Sequence, residues 1–93
     1  MTTSEQEAIA RAAKLFIGFG ASQVFVFGSA VKGLLRPDSD IDMAVSGLPP
    51  GVYFAAISQA SDLIGRPVDL VDLDDESGLV RYLRASGELI RVG

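Results

Sequence analysis

The chain has 93 residues, of which 48% are apolar, and its formal net charge at neutral pH is −4. This length predicts one small domain over residues 1–93, and so apolar a short chain favours burial of some surface against a partner. The acidic balance argues against general nucleic-acid binding, which needs an excess of Lys and Arg. The absence of Cys and His excludes disulfides, thiolate or imidazole metal sites and a histidine base. Any catalysis must therefore use carboxylates, hydroxyls, Lys or Arg.

The location of the protein is predicted from two further features of the chain. Charges, Gly or Pro interrupt every apolar run well short of the ~20 residues that span a bilayer. The N-terminal segment carries acids early and lacks the basic region that opens a signal peptide. We therefore expect a cytoplasmic protein.

The first predicted element is an amphipathic helix. Thr3 or Ser4 is expected to cap it, since Ser4 and Glu7 have the spacing of a capping box. Apolar residues then recur at helical intervals until Gly18 and Gly20 end the pattern.

Two strands are predicted next. Residues 23–27 form a β-branched and aromatic run that is typical of a buried strand. An irregular stretch continues through Pro37, and residues 40–45 predict the second strand.

The second half of the chain alternates helix and strand. After a Pro-Pro-Gly turn, residues 52–64 predict a helix that Gly65 ends, and residues 67–71 predict a strand. Residues 76–85 predict a short helix, and residues 88–92 predict an edge strand. This order of elements is typical of an α/β fold.

The aromatic side chains are assigned mainly to the core. Four phenylalanines are predicted to be buried: Phe16, Phe25, Phe27 and Phe54. Tyr53 and Tyr82 are left open between the core, a partner surface and stacking on a nucleotide.

Three aspartates predict a metal site. Residues two apart on a strand point to the same face, so Asp40 and Asp42 present their carboxylates side by side while Ile41 faces away. Adjacent carboxylates repel one another unless a cation lies between them, and oxygen-only ligands suit Mg²⁺ or Mn²⁺. Asp69 lies within a Val/Leu strand, where a buried charge is costly. If the third strand pairs beside the second, Asp69 completes a three-carboxylate site for two metals.

A possible phosphate-binding turn precedes these acids. Gly28 allows the backbone to approach a ligand at the end of the first strand, and the Ser29 hydroxyl can donate to phosphate oxygens. Each part alone has a plainer interpretation, as a turn or as a solvated loop, and their occurrence together favours a site for phosphoryl or nucleotidyl transfer. Four other acids are assigned structural roles, as a loop cap or beside a helix N-terminus: Asp38, Asp72, Asp74 and Asp75.

Taken together, Gly28-Ser29, Asp40-Ile41-Asp42 and Asp69 resemble the signature of the DNA polymerase β-like nucleotidyltransferase superfamily, in its minimal nucleotidyltransferase (MNT) branch. The resemblance implies a small mixed sheet flanked by helices and Mg²⁺-dependent use of ATP. It implies metal ligation by the three aspartates, with Asp69 also helping to activate the acceptor hydroxyl.

The resemblance also implies a biological role and a partner. Small members of the branch are commonly antitoxins of a HEPN-type toxin, and some transfer AMP from ATP to a tyrosine of that toxin. The expected assembly is therefore a hetero-oligomer with a HEPN-type protein.

The phosphate-binding turn departs from the family pattern at two positions. Where minimal members usually have Gly-Ser-Arg-Ala-Arg-Gly, this chain has Ala30 at the first arginine and Lys32 at the second. Lys32 can still pair with a phosphate, as a point charge. Replacing Ala30 with Arg is expected to restore a donor and tighten triphosphate binding.

Two alternatives to protein adenylylation remain open. Ala30 favours a non-catalytic antitoxin that neutralises its partner by binding alone. Adenylyl transfer to a small molecule is also possible, although the chain has no room for the added helical domain that such enzymes generally carry unless a partner supplies it.

Overall fold

The computed structural model describes residues 2–36 and 38–93, so Pro37, assigned above to the irregular stretch, lies outside the described residues. The helices are α1 (Thr3–Gly18), α2 (Tyr53–Ile64) and α3 (Gly78–Ser86), and the strands are β1 (Gln23–Phe27), β2 (Ile41–Ser46), β3 (Val68–Asp72) and β4 (Ile90–Arg91). Single 3₁₀ turns follow β1 and precede α2. Within the described ranges, no helix is both long and apolar enough to cross a membrane.

The four strands form one sheet in the order β3-β2-β1-β4. β1 is antiparallel to β2 on one side and to β4 on the other, whereas β2 and β3 are parallel. A parallel pair needs a crossover connection, and α2 provides it. The prediction of a small mixed sheet flanked by helices is confirmed, including the edge strand at the C-terminal end.

The capping box of α1 lies two residues earlier than predicted. The Thr2 hydroxyl accepts a hydrogen bond from the Glu5 amide (3.1 Å), and the Glu5 carboxylate accepts one from the Thr2 amide (2.7 Å). Thr2 has an extended backbone, and helical geometry begins at Thr3. The assignment of the cap to Thr3 or Ser4 was therefore wrong, because both residues lie inside the first turn of the helix.

The later helix ends follow local hydrogen bonding. Gly65 ends α2 in the left-handed region (φ 73°), as predicted. The last helix begins at Gly78 rather than at Glu76, because the Ser77 hydroxyl accepts a hydrogen bond from the Val80 amide (3.2 Å) and caps it.

The main core lies between the sheet and the pair α1 and α2. Its largest fully buried side chains are Phe16, Ile9, Ile41, Met43, Val24, Val26 and Val45. Because successive strand residues face opposite sides, the burial of Ile41 and Met43 against α1 and α2 places Asp42 on the other face of β2.

That second face is only partly covered. α3 packs on it through Val80, which forms a small cluster with Ala44 and Leu73. Burial decreases along this face, since Ala44 is fully buried, Asp42 is half-buried and Asp69 is exposed. The acids therefore lie on the open part of the sheet face.

The aromatic assignments have mixed outcomes. Phe16 is fully buried as predicted, whereas Phe54 is 89% exposed and its assignment to the core was wrong. The buried stripe of α2 contains Ala56 and Ala60, and a residue two positions before Ala56 faces away from that stripe. Phe25 and Phe27 are partly buried against the second cluster.

The two tyrosines, whose location the sequence left open, differ in burial. Tyr53 packs against the main core, and its buried hydroxyl has no hydrogen-bond partner among the described residues. Burial raises the pKa of Tyr53 well above its usual range, and the carboxylate of Asp72 adds to the effect. Tyr82 is 57% exposed on α3 and belongs to the surface.

Candidate functional site

The turn after β1 is a short helical turn that begins at Gly28. The amides of Val31 and Lys32 both donate to the Gly28 carbonyl, at 3.1 and 3.2 Å, and the Leu34 amide donates to the Ser29 carbonyl at 2.9 Å. The first amides of such a turn have no partner inside it, so they are available to an external acceptor. Gly28 adopts φ 72°, a left-handed conformation that favours glycine.

The second reason for glycine at position 28 is its contact with Asp42. A Cβ atom built on Gly28 would collide with Oδ2 of Asp42. The contact follows from the sheet register, in which Phe27 of β1 is paired with Asp42 of β2. The predicted phosphate turn and the central acid of the predicted metal site are therefore in direct contact.

The parallel pairing of β2 and β3 places two of the acids side by side. Asp42 and Asp69 are paired directly across the two strands, as the site prediction required. Neighbouring strands lie about 4.8 Å apart, so both carboxylates project from adjacent points of one sheet face. Asp40 is exposed immediately before β2, two residues from Asp42.

The pKa of Asp42 reflects both its burial and the closeness of the other two aspartates. Partial burial raises the pKa of the Asp42 carboxyl above its usual range, and the nearby charges of Asp69 and Asp40 raise it further. Both neighbours favour the protonated form because like charges repel. The three predicted ligands therefore interact electrostatically, although the third lies 27 residues from Asp42 in the sequence.

The surroundings of Asp69 differ from the expectation. The sequence suggested a buried charge, but Asp69 is exposed, because β3 is an edge strand and α3 leaves this part of the sheet open. The argument from the cost of burial was wrong, whereas the position beside Asp42 was right.

The fit of a divalent cation can be tested on these residues. Among residues 2–36 and 38–93, no three acidic side chains are gathered closely enough to form a ready cluster of metal ligands. The backbone positions nevertheless place Asp42 beside Asp69 on an open face with Asp40 next to them, and burial together with these two neighbouring charges raises the pKa of Asp42. An all-oxygen donor set with uncompensated negative charge fits Mg²⁺ or Mn²⁺.

Ser29 and Lys32, two of the predicted nucleotide contacts, differ in how far they are exposed. Ser29 is half-buried in the turn, whereas the Lys32 side chain is 57% exposed and its Nζ lies 3.3 Å from Oε1 of Glu88. Glu88 was not identified from the sequence, because it lies 56 residues from Lys32 and no motif includes it. Only the pairing of β4 with β1 brings them together.

Ala30 does not occupy the place expected of a missing phosphate donor. It is 1% exposed and belongs to the main core. A guanidinium at this position would have to be buried or would displace the turn. The expectation that Ala30→Arg simply restores a donor is therefore not supported by the structure.

The acids assigned structural roles lie apart from this constellation or bond locally. The Asp74 carboxylate accepts hydrogen bonds from the Ser46 hydroxyl (2.8 Å) and the Gly47 amide (2.7 Å), and these hold the pKa of Asp74 below its usual range. Asp72 accepts from the Asp74 amide at 2.9 Å. In the loop where Asp38 was expected to act as a cap, Ser39 instead accepts a hydrogen bond from a backbone amide.

Comparison with known proteins identifies relatives of this fold. No curated protein matches the chain. A chain from a toxin–antitoxin structure with AMP-PNP matches 99% of this chain over 73% of its own length, with a TM-score of 0.72 and 21% identity. A protein described provisionally as a minimal nucleotidyltransferase matches 92% of this chain over 87% of its own, with a TM-score of 0.71 and 28% identity.

A third similar structure is a complex of tri-AMPylated Shewanella oneidensis HEPN toxin with an MNT antitoxin. One of its chains matches 96% of this chain over 71% of its own length, with a TM-score of 0.69 and 20% identity. The family model described as "Polymerase beta, Nucleotidyltransferase" matches residues 19–91, which include all the predicted site residues. The resemblance seen in the sequence is confirmed, and the chain belongs to the polymerase β-type nucleotidyltransferase family.

Proposed function

We propose that this protein is an Mg²⁺-dependent nucleotidyltransferase that transfers AMP from ATP to a tyrosine hydroxyl of a HEPN-type partner and so acts as its antitoxin. The observation that carries the proposal is the direct contact between Gly28 and Asp42 together with the pairing of Asp42 and Asp69. These contacts bring a phosphate turn and two acids to one open face, which is the arrangement that nucleotidyl transfer needs.

The acids and the turn after β1 have different roles in this proposal. Asp40, Asp42 and Asp69 would hold the cations, which would offset the charge of the triphosphate and of the departing pyrophosphate. The amides after Gly28 and the Ser29 hydroxyl donate to phosphate oxygens.

The bonds that change are those of the acceptor hydroxyl and the α-phosphate. The hydroxyl oxygen forms a bond to the α-phosphorus, the bond to the pyrophosphate oxygen breaks, and pyrophosphate leaves. Asp69 is exposed at the edge of the sheet, where an acceptor from another molecule can reach it, and its carboxylate takes up the hydroxyl proton and then releases it to solvent. The products are an adenylylated hydroxyl and pyrophosphate.

Two observations support a protein acceptor. The proposed acid site lies on an open face of the sheet, so a second molecule can complete it. The similar structures include toxin–antitoxin complexes, one of them with a tri-AMPylated HEPN toxin. Exposed apolar side chains, with Phe54 the most exposed, are further consistent with a hetero-oligomer.

The alternative of a non-catalytic antitoxin has two observations in its favour. Ala30 is buried in the core where relatives usually have Arg, and the cation at Lys32 is already engaged by Glu88. In that case the partner would be neutralised by binding alone, and its mass would not change.

Intact-mass analysis of the co-expressed HEPN-type partner after incubation with ATP and Mg²⁺ distinguishes the two. The wild-type protein should add AMP, Asp69→Asn should reduce the rate by about 10²–10⁴-fold, and Asp62→Asn, at an exposed position on α2, should transfer normally. Neutralisation of the partner by wild type and Asp69→Asn alike, with no gain in mass, would leave only the occluding role.

A further inference from the structure

The ion pair between Lys32 and Glu88 lies beside the phosphate turn. It is the one salt bridge found among the described residues, with Nζ and Oε1 3.3 Å apart. The Lys32 side chain is 57% exposed, whereas that of Glu88 is 26% exposed and therefore more constrained. Lys32 lies two residues after the end of the turn Gly28–Ala30, and its amide donates to the carbonyl of Gly28.

The fold fixes Glu88 at this place from two directions. Gly87 ends α3 in the left-handed region (φ 72°), and the Glu88 amide then donates to the Ser86 hydroxyl at 3.2 Å. On the other side, β4 pairs with β1 so that Ile90 lies opposite Val26. Continuing this antiparallel register by two residues brings residue 88 opposite residue 28, at the end of the sheet where the phosphate turn begins.

A carboxylate in this position opposes triphosphate binding in two ways. It neutralises the ammonium of Lys32, which otherwise offers a point charge to phosphate oxygens. It also adds a fourth negative charge near the end of the sheet that already presents Asp40, Asp42 and Asp69. A polyanion must therefore displace Glu88 from Lys32 before that cation can contribute to its binding.

Resting on the proposed function, we propose that Glu88 tunes nucleotide affinity by competing with the polyphosphate of a nucleoside triphosphate for the Lys32 ammonium. Through this competition Glu88 weakens binding of all triphosphates, and it weakens binding of metal-free triphosphate most, because no cation then offsets the acids. Glu88 acts through Lys32 and does not contact the reacting atoms.

A double-mutant cycle on ATP affinity tests this competition. Isothermal titration with ATP and Mg²⁺ compares wild type, Glu88→Gln, Lys32→Gln and the double variant. Glu88→Gln should tighten binding roughly two- to five-fold when Lys32 is present, the scale set by an exposed ion pair. In the Lys32→Gln background the same change should alter the affinity by less than about twofold. The titrations are then repeated with ATP and a chelator in place of Mg²⁺. Without Mg²⁺, Glu88→Gln should increase the affinity for ATP by a larger factor than it does with Mg²⁺.

Glu76→Gln is the matched control, since it removes the same charge from an exposed position before α3. Its affinity for ATP should remain that of the wild type. Equal tightening by Glu88→Gln in both Lys32 backgrounds, or weaker binding by Glu88→Gln, overturns the competition. If wild type binds ATP with Mg²⁺ and Glu88→Gln is unchanged, only this inference fails. If wild type binds no ATP at all, the proposed function fails and the inference fails with it.

Discussion

At the scale of single residues, Gly28 meets two requirements, a left-handed backbone and a close approach to Asp42. Comparing Gly28→Ala with Gly65→Ala separates the energetic costs of the two. Gly28 and Gly65 share a left-handed backbone, with φ 72° and 73°, but a Cβ atom meets the Asp42 carboxylate at the first and nothing within 4 Å at the second. Gly65→Ala should cost about 1–2 kcal/mol of unfolding free energy, from backbone strain alone. Gly28→Ala should cost a further ~1–3 kcal/mol, because the collision must be relieved.

Urea unfolding of both glycine variants measures the difference. Removing the carboxylate with Asp42→Ala should return most of the additional loss in the double variant with Gly28→Ala. Equal losses for Gly28→Ala and Gly65→Ala would show that the turn does not press against Asp42.

The pH dependence of stability should differ in sign between two aspartates. The folded state raises the pKa of Asp42, so the folded protein binds more protons there than the unfolded chain does. The favourable contribution of Asp42 to folding stability is complete below the usual carboxyl pKa of 3.8. It is lost as the pH rises through the raised pKa that Asp42 has in the folded protein. Asp42→Asn should therefore stabilise the metal-free protein at neutral pH, and this advantage should shrink as the pH falls towards that range.

Asp74 provides the opposite case. Hydrogen bonds from Gly47 and Ser46 lower its pKa, so its contribution is present above the usual carboxyl pKa and is lost as the pH falls through the lowered value. Asp74→Asn should therefore destabilise the protein at neutral pH and lose this effect in acid. Melting temperatures of both variants between about pH 3 and pH 7 check the signs, and parallel profiles for the two would refute them.

The sequence predicted which strands carry the proposed site residues but not the surroundings of those residues. The alternation of β2 and the Val/Leu context of Asp69 were enough to place Asp42 and Asp69 on two strands, whereas Asp40, predicted to open the second strand, lies just before it. Whether Asp69 is buried depends on how far α3 covers the sheet, and the engagement of Lys32 depends on the β1–β4 pairing. Both are tertiary properties that no local pattern contains.

At the scale of elements, the start of α1 offers a clear contrast between local pattern and structure. Thr2→Ala removes the capping hydroxyl and should cost about 1 kcal/mol of unfolding free energy. Ser4→Ala changes an exposed helical residue and should stay within about 0.5 kcal/mol of the wild type. Chemical unfolding of both variants tests the corrected cap, and a larger loss for Ser4→Ala would restore the cap predicted from the sequence.

The order and type of the elements were predictable because apolar periodicity and Gly or Pro breaks mark each of them. Their ends were less so, because a cap is fixed by one hydrogen bond. Thr2, Ser4 and Ser77 all have the chemistry of a cap, and the extended backbone of Thr2 and of Ser77 selects those two. The cytoplasmic location inferred from the same sequence features stays a prediction.

At the scale of the whole molecule, the distribution of aromatic residues separates core from surface. Phe16 is fully buried between α1 and the sheet, so Phe16→Ala should cost about 3–5 kcal/mol. Phe54→Ala should change the unfolding free energy by no more than about 0.5 kcal/mol, because the side chain is 89% exposed. Calorimetry of the isolated chain measures both, and a loss above about 2 kcal/mol for Phe54→Ala would contradict the exposed placement of this side chain.

The proposed function depends above all on Asp40, Asp42 and Asp69 holding Mg²⁺ and ATP together. Ligand at a hundred times its Kd stabilises the native state by ~2.7 kcal/mol, which raises the Tm of a domain this small by on the order of 10 °C. Asp38→Asn, two residues from Asp40, removes the same charge as Asp42→Asn without removing a proposed ligand. The most direct test is the Tm of wild type, Asp38→Asn and Asp42→Asn with and without Mg²⁺ and ATP. The proposed site predicts a full shift for the first two and none for Asp42→Asn, and an equal shift in all three would contradict it.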